Sequence, residues 1–100
     1  MDVTITRDNG ITEVAFFGRL DTPASQEFAP KLEELKADAA GTIILDCKEL
    51  TYISSSGLRI FLTLRKAAAE KGGKVIVRSI SNEIRAVFMM TGFLNLFEIE

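Results

Sequence analysis

Histidine and tryptophan are missing from the 100 residues, and cysteine occurs once. Without imidazole the chain can build neither a Ser-His triad nor a His-ligated metal site, and it lacks the usual general base near neutral pH. The lone thiol, Cys47, excludes an internal disulfide, a CxxC redox pair and a thiolate zinc cluster. It is expected as a small, reduced, inert side chain. Glycine-rich phosphate cradles of the GxGxxG, GxxxxGKS and GxxxxGKT kinds do not occur. No stretch approaches the ~18 apolar residues of a membrane span. The opening Met1-Asp2-Val3-Thr4 has no basic region leading into an apolar run, so no signal peptide is expected. A net charge of -2 is not the basic balance of a nucleic-acid binder. These absences lead to the expectation of a cytoplasmic protein that is not an enzyme, needs no cofactor or metal, and binds neither nucleic acid nor membrane.

What the chain does have is an ordinary globular composition, 47% hydrophobic and 26% charged. Its length suits one domain, residues 1–100, burying roughly 60–70% of the surface of the unfolded chain. Val3-Thr4-Ile5-Thr6 alternates apolar and polar, Asn9-Gly10 interrupts, and Ile11 to Phe17 resumes, which predicts a β-hairpin. Gly18 to Pro23 reads as a loop into a helix, with Thr22 as N-cap and Pro23 as the first helical residue. Ala24, Phe28, Leu32 and Leu35 carry that helix to about Asp38, with Pro30 marking either a kink or a later start. Thr42 to Leu45 and Val75 to Val77 read as short strands, the first covered on both faces. Between them a helix from about Ser56 to Lys71 makes a βαβ unit. Ser81 caps a shorter helix with Ile84, Val87 and Phe88 inward, stopped by Gly92, and Asn95 to Glu100 suits a last edge strand or a packed extension. The expected fold is a single α/β domain, a mixed four- to five-stranded sheet with helices packed on it.

One segment departs from generic α/β sequence: Tyr52-Ile53-Ser54-Ser55-Ser56-Gly57-Leu58. It lies near the carboxyl end of a sheet strand, where open α/β sheets place their functional groups. A helix start needs one side-chain oxygen for a free backbone N–H, and three consecutive serines supply three. The bland reading is one capping serine and two polar neighbours. The functional reading is a phosphate acceptor, because a phosphoryl group brings about -1.5 to -2 charge to the positive end of a helix dipole. Gly57, lacking a Cβ, would let a phosphate or a partner's backbone approach the first turn.

Several segments together resemble the STAS family: Gly18-Arg19-Leu20-Asp21, Ile43-Ile44-Leu45-Asp46, Ser55-Ser56-Gly57-Leu58, Gly72-Gly73, Met90-Thr91-Gly92-Phe93 and Phe97-Glu98-Ile99. The resemblance runs in order from about Thr4 to Glu100 and is nearest to the bacterial anti-sigma factor antagonists. It implies a small mixed sheet with helices packed on it. It also implies phosphorylation on the second serine of a D-S-S-G-L-type loop by a partner that is both anti-sigma factor and serine kinase. On that pattern Ser56 is the acceptor, with Ser55 and Ser54 as alternatives, and Asp21 is a neighbour of the site. Ser54 stands where the family often has Asp, exchanging a carboxylate for a third hydroxyl.

The resemblance further implies a partner-switching phosphoprotein, a monomer or weak dimer, reset by a phosphatase and contacting its kinase through Asp21, Ser54 to Leu58 and Leu62. The rival expectation is a constitutive scaffold or interaction module of a multi-subunit signalling assembly. Apolar residues on the helix after the serines spread over more than half its circumference, so Leu62 or Leu58 is left over for a docking patch. Met89 and Met90 are expected in the core. Asp21 is either a site residue or a helix cap, and Asp46 is read as a turn residue ending its strand.

Overall fold

Alternation and one turn set the first pair of strands. In the computed structural model, which describes residues 1–100, β1 (Asp2–Asp8) and β2 (Ile11–Leu20) pair antiparallel. Asn9 and Gly10 join them at φ 50° and 79°, the two left-handed positions a tight hairpin of this hand requires.

Helix α1 (Thr22–Lys36) begins one residue earlier than the sequence suggests. Asp21, not Thr22, is the N-cap, its Oδ1 accepting the Ala24 N–H at 3.0 Å, and Pro23 falls at the second helical position, where no N–H is needed. Pro30 neither breaks α1 nor starts it: it lies inside the helix at an exposed position, as does Gln26, whose carbonyl it leaves without a donor.

The largest departure is β3, which runs Thr42–Ile53 rather than stopping at Leu45. Beyond Leu45 polar residues interrupt the apolar run, yet Cys47, Leu50 and Ile53 remain buried and the strand stays paired with β2. Two register shifts, opposite Ala15 to Phe17 and opposite Gly18 to Arg19, each give β3 one residue more than β2, which absorbs the mismatch and keeps the inward set inward. Asp46 therefore lies within the strand instead of ending it, and it accepts the Lys48 N–H at 3.1 Å.

Helix α2 (Ser55–Lys71), β4 (Lys74–Arg78) and α3 (Asn82–Thr91) follow. As expected, Ser81 caps α3 through the Ile84 N–H and Gly92 ends it at φ 80°. A single 3-10 turn (Phe93–Asn95) leads to the two-residue edge strand β5 (Glu98–Ile99). The sheet order is β1-β2-β3-β4-β5, antiparallel for the first pair and parallel for the rest. The result is a small α/β domain with a five-stranded mixed sheet and three helices.

The helices share one sheet face, where they meet Val14, Phe16, Ile43, Leu45, Val75 and Val77 in one apolar cluster. Through it runs a chain of aromatic contacts, Phe28, Phe16, Phe61, Phe88, Phe93 and Phe97, with ring centroids 5.4–6.4 Å apart. Strand alternation sends Ile44 and Ile76 to the other face, so β3 is not helix-covered on both sides. Both are nonetheless buried, at the sheet centre with Glu13 and Glu98 as cross-strand neighbours and Lys74 and Arg78 to either side. The aliphatic stems of such side chains shield apolar surface while their charges stay in water.

Met89 and Met90 are not core residues: they are 65% and 86% exposed. Ile84 and Phe88, with Val87, already fill the inward stripe of α3, and the next two positions turn away from it.

Candidate functional site

Two parallel strands end level with one another and two helices start from them. Leu20, the last residue of β2, is the register partner of Ile53, the last residue of β3. The next residue in each case, Asp21 or Ser54, is a helix N-cap with nearly the same backbone conformation, φ -88° and ψ -174° or 173°. The starts of α1 and α2 are therefore held side by side, and α1 and α2 pack against each other along their length.

The three serines do different things. Ser54 is fully engaged: its Oγ–H donates to the Leu20 carbonyl (3.0 Å) and its Oγ accepts the Gly57 N–H (3.1 Å). Its backbone also donates to Leu20 O (2.9 Å) and accepts the Leu58 N–H (2.9 Å), stitching the end of β2 to the start of α2. Ser55 is exposed and Ser56 half-buried, and neither hydroxyl has a side-chain hydrogen bond. The N–H groups of Ser55 and Ser56 have no intrahelical partner either, as befits the first two positions of a helix. No acidic residue occupies the first turn of α2, and its cap is neutral, so no carboxylate offsets the positive end of the dipole.

Gly57 and Leu58 face inward rather than outward. A Cβ on Gly57 would lie 2.8 Å from Ile53 Cγ1 and 2.9 Å from Leu20 Cγ. The missing Cβ thus lets the helix start rest on the strand ends, not an incoming molecule on the helix. Leu58 is buried in the same contact region, which leaves Leu62, 38% exposed, as the surplus apolar residue of α2. Leu62 lies seven residues from Ser55, close to two full turns, so the two share a face of the helix.

Asp21 is held in its cap bond, and Ser25 Oγ donates to the Asp21 carbonyl at 2.8 Å. The cap alternative raised for Asp21 is the geometry observed, beside the serines but committed to α1. Ser56 lines a shallow groove between α1 and α2 together with Thr22, Ser25, Gln26, Arg59 and Thr63.

Two features of the region were beyond sequence reasoning. Arg19 and Tyr52 are register partners across β2 and β3, and the Arg19 guanidinium carbon sits 4.2 Å from the Tyr52 ring centroid, a cation–π contact at the site's edge. Only the register, which the extra residues in β3 shift, brings them together. Arg59 shares the groove with Ser56, and its spacing of three along the helix is the only trace of this in the sequence.

A helix start with free hydroxyls, carried at the carboxyl ends of a mixed sheet that is covered by helices on one face, defines a small α/β domain with its candidate site on the surface. The STAS domain model matches residues 2–100, and the chain belongs to that family. It is 30% identical over 82 residues to a STAS-domain containing protein of Pseudomonas aeruginosa, covering 82% of this chain and 80% of the other. It is 23% identical to an anti-sigma-B factor antagonist of Staphylococcus aureus, over 99% of this chain and 92% of that one. Among solved structures it resembles the anti-sigma factor antagonist SpoIIAA in its unphosphorylated form, with a TM-score of 0.77 at 21% identity, covering 99% and 87% of the two chains. The Bacillus cell fate determinant SpoIIAA in its phosphorylated form gives 0.76 at 22% identity, covering 99% and 91%.

Proposed function

We propose that the protein is an anti-sigma factor antagonist of the partner-switching kind, itself without catalytic activity or cofactor. Unphosphorylated, it binds an anti-sigma factor serine kinase in the cytoplasm and thereby frees a sigma factor. The contact surface runs over the paired helix starts, with Asp21, Ser54, Ser55 and Ser56 at its centre and Leu62 as its apolar margin. Gly57 and Leu58 support it from beneath. The protein works as a monomer or weak dimer.

In the switching step the γ-phosphoryl group of the kinase's ATP passes to Ser56 Oγ. The new O–P bond forms as the bond to the ADP oxygen breaks, and the hydroxyl proton leaves to a base on the kinase. A phosphatase reverses the change by hydrolysis. A dianion inside a packed interface must give up its hydration, which is costly unless the partner supplies a cation. A hundredfold loss of affinity needs only about 2.7 kcal/mol.

The observation that carries this reading is the division among the serines: Ser54 spends its hydroxyl on the fold, while Ser56 and Ser55 keep theirs free. The choice of Ser56 over Ser55 follows the position of the family's acceptor. The test is site-resolved phosphate occupancy by mass spectrometry, on protein from growing and stressed cells, beside Ser56→Ala. Occupancy on Ser56 that changes with condition and is lost in the variant is the expected result. Phosphate on Ser55 or Ser54 would move the acceptor. None in any state, with partners still bound, would replace the switch by a constitutive scaffold.

A further inference from the structure

The groove beside Ser56 contains one charged side chain, Arg59, in a chain that has more acidic residues than basic ones. Its remaining polar lining is hydroxyl or amide: Thr22, Ser25, Gln26 and Thr63. Arg59 takes part in none of the ion pairs, which engage Arg7, Lys36 and Arg78. Arg19 is stacked on Tyr52, and Arg65 donates to the Leu96 carbonyl at 2.7 Å. Arg59 is thus an uncommitted guanidinium in an acid-free groove, three residues along the helix from a free hydroxyl.

We propose that Arg59 closes on a phosphate carried by Ser56 and holds it in the α1–α2 groove, instead of leaving it standing out from the surface. This deepens the reading of Ser56 as acceptor and rests on it. Residues three apart on a helix have Cβ atoms about 5–6 Å apart, within reach of an arginine fork and a phosphoryl group. The guanidinium presents planar paired donors suited to phosphate oxygens. Thr22, on α1, offers a further hydroxyl donor from the opposite wall.

No acidic side chain lines the groove itself. Asp21, at the start of α1, is held by its cap bond to Ala24. Glu27 and Lys31, also on α1, line a different hollow beside Met1 and Val3. On α2 the next charged residues after Arg59 are Arg65 and Lys66, well over a turn further on. The regulatory consequence is that the phosphate acts twice. It adds charge to the partner surface, and it withdraws from that surface the cation nearest to Ser56.

The test uses the full chain with phosphoserine incorporated at position 56 during synthesis, so that it depends on no kinase. The phosphorus resonance is followed through the second phosphate ionisation in the parent, Arg59→Ala and Arg59→Lys. A free phosphoserine ionises near pH 6. An exposed pairing with Arg59 lowers that midpoint by about half a unit relative to Arg59→Ala. Arg59→Lys falls between the two, and the difference closes in molar salt. The Arg59 Nε–H resonance shifts with the same midpoint. Equal midpoints in the parent and Arg59→Ala, with no movement of that resonance, overturn the proposal. Phosphate occupancy in cells tests the acceptor reading separately, because the titration reads the same whether or not a kinase modifies Ser56.

Discussion

Replacing Ser54 by alanine removes two hydrogen bonds while leaving apolar packing almost untouched, which makes it a clean probe of the helix start. The first loss is the cap bond from Gly57 N–H, 3.1 Å, worth about 1 kcal/mol. The second is the donation from Ser54 Oγ–H to Leu20 O, 3.0 Å. That carbonyl keeps the Ser54 backbone N–H at 2.9 Å, so no buried acceptor is orphaned. Its share is then about 0.5 kcal/mol, the low end for a net hydrogen bond. The expected destabilisation is about 1.5 kcal/mol, read as a fall in melting temperature of about 7 °C for a chain of this length. In urea the midpoint should drop by about 1 M with the slope unchanged. Ser54→Asp separates the two bonds: the carboxylate still accepts from Gly57 and gains from the helix dipole, but it cannot donate to Leu20. It should recover about 1 kcal/mol of the loss. A Ser54→Ala protein within about 0.3 kcal/mol of the parent, below the smallest usual cost of a lost cap, would refute the reasoning. The hydroxyl would then be uncommitted, and Ser54 as available to a kinase as its neighbours.

Gly57→Ala forces a Cβ to within 2.8 Å of Ile53, and the overpacking cost of about 1–3 kcal/mol should outweigh the helix-propensity gain of up to about 1. A stability equal to or above that of the parent in urea would show that the strand ends yield. Burial pushes the Cys47 thiol up to about 12, with Asp46 adding to the effect. Because the folded value lies above the unfolded one, the stability held in the neutral thiol is complete below the unfolded pKa and drains away as pH rises towards 12; alkylation at pH 9 should be slow in the native protein and fast in urea. Arg78→Ala removes pairs to Glu13 (3.3 Å) and Glu100 (3.2 Å) on the open sheet face. Both are exposed enough to solvent that the cost should stay below about 1 kcal/mol and shrink further in salt. Leu62→Glu, at an exposed position, should leave the melting temperature within about 2 °C of the parent while weakening kinase binding; undiminished binding would remove Leu62 from the surface.

The elements that were legible in the sequence are those whose local chemistry and tertiary role agree. Asn9-Gly10 demands positive φ at both positions and has it. Ser81 and Gly92 bound α3 because a cap and a left-handed stop need only their own neighbourhood. Family resemblance placed the STAS fold correctly, and the five-stranded sheet follows it. The far half of β3 was illegible for a physical reason: Asp46, Lys48 and Glu49 point to a face without helices, so their polarity reads as a loop when only one face is buried. Met89 and Met90 misled in the opposite direction, because an apolar side chain carries no mark of whether its helix still has inward positions to fill. At the site, the serines were visible as a cluster but not as a division of roles. That division depends on the Leu20 carbonyl, 34 residues away in the chain.

The same division would let a surface switch of the proposed kind coexist with a fixed fold. A phosphate on a capping residue would break the cap it occupies, costing about 1 kcal/mol and loosening the first turn. With Ser54 holding Leu20 and Gly57, a phosphate on Ser56 displaces no hydrogen bond of its hydroxyl. It meets instead a helix end with two unpartnered N–H groups and no carboxylate in its own first turn, where negative charge is favoured. Ser54 therefore does two things at once. It keeps the cap, and it leaves the dipole of α2 free to receive a charge that a carboxylate at position 54 would repel. A phosphoserine at 56 should accordingly stabilise this chain against urea, and Ser54→Asp should reverse part of that gain. Equal stability of the phosphorylated and unphosphorylated forms, with and without the aspartate, would mean that solvent screens the phosphate from the helix end.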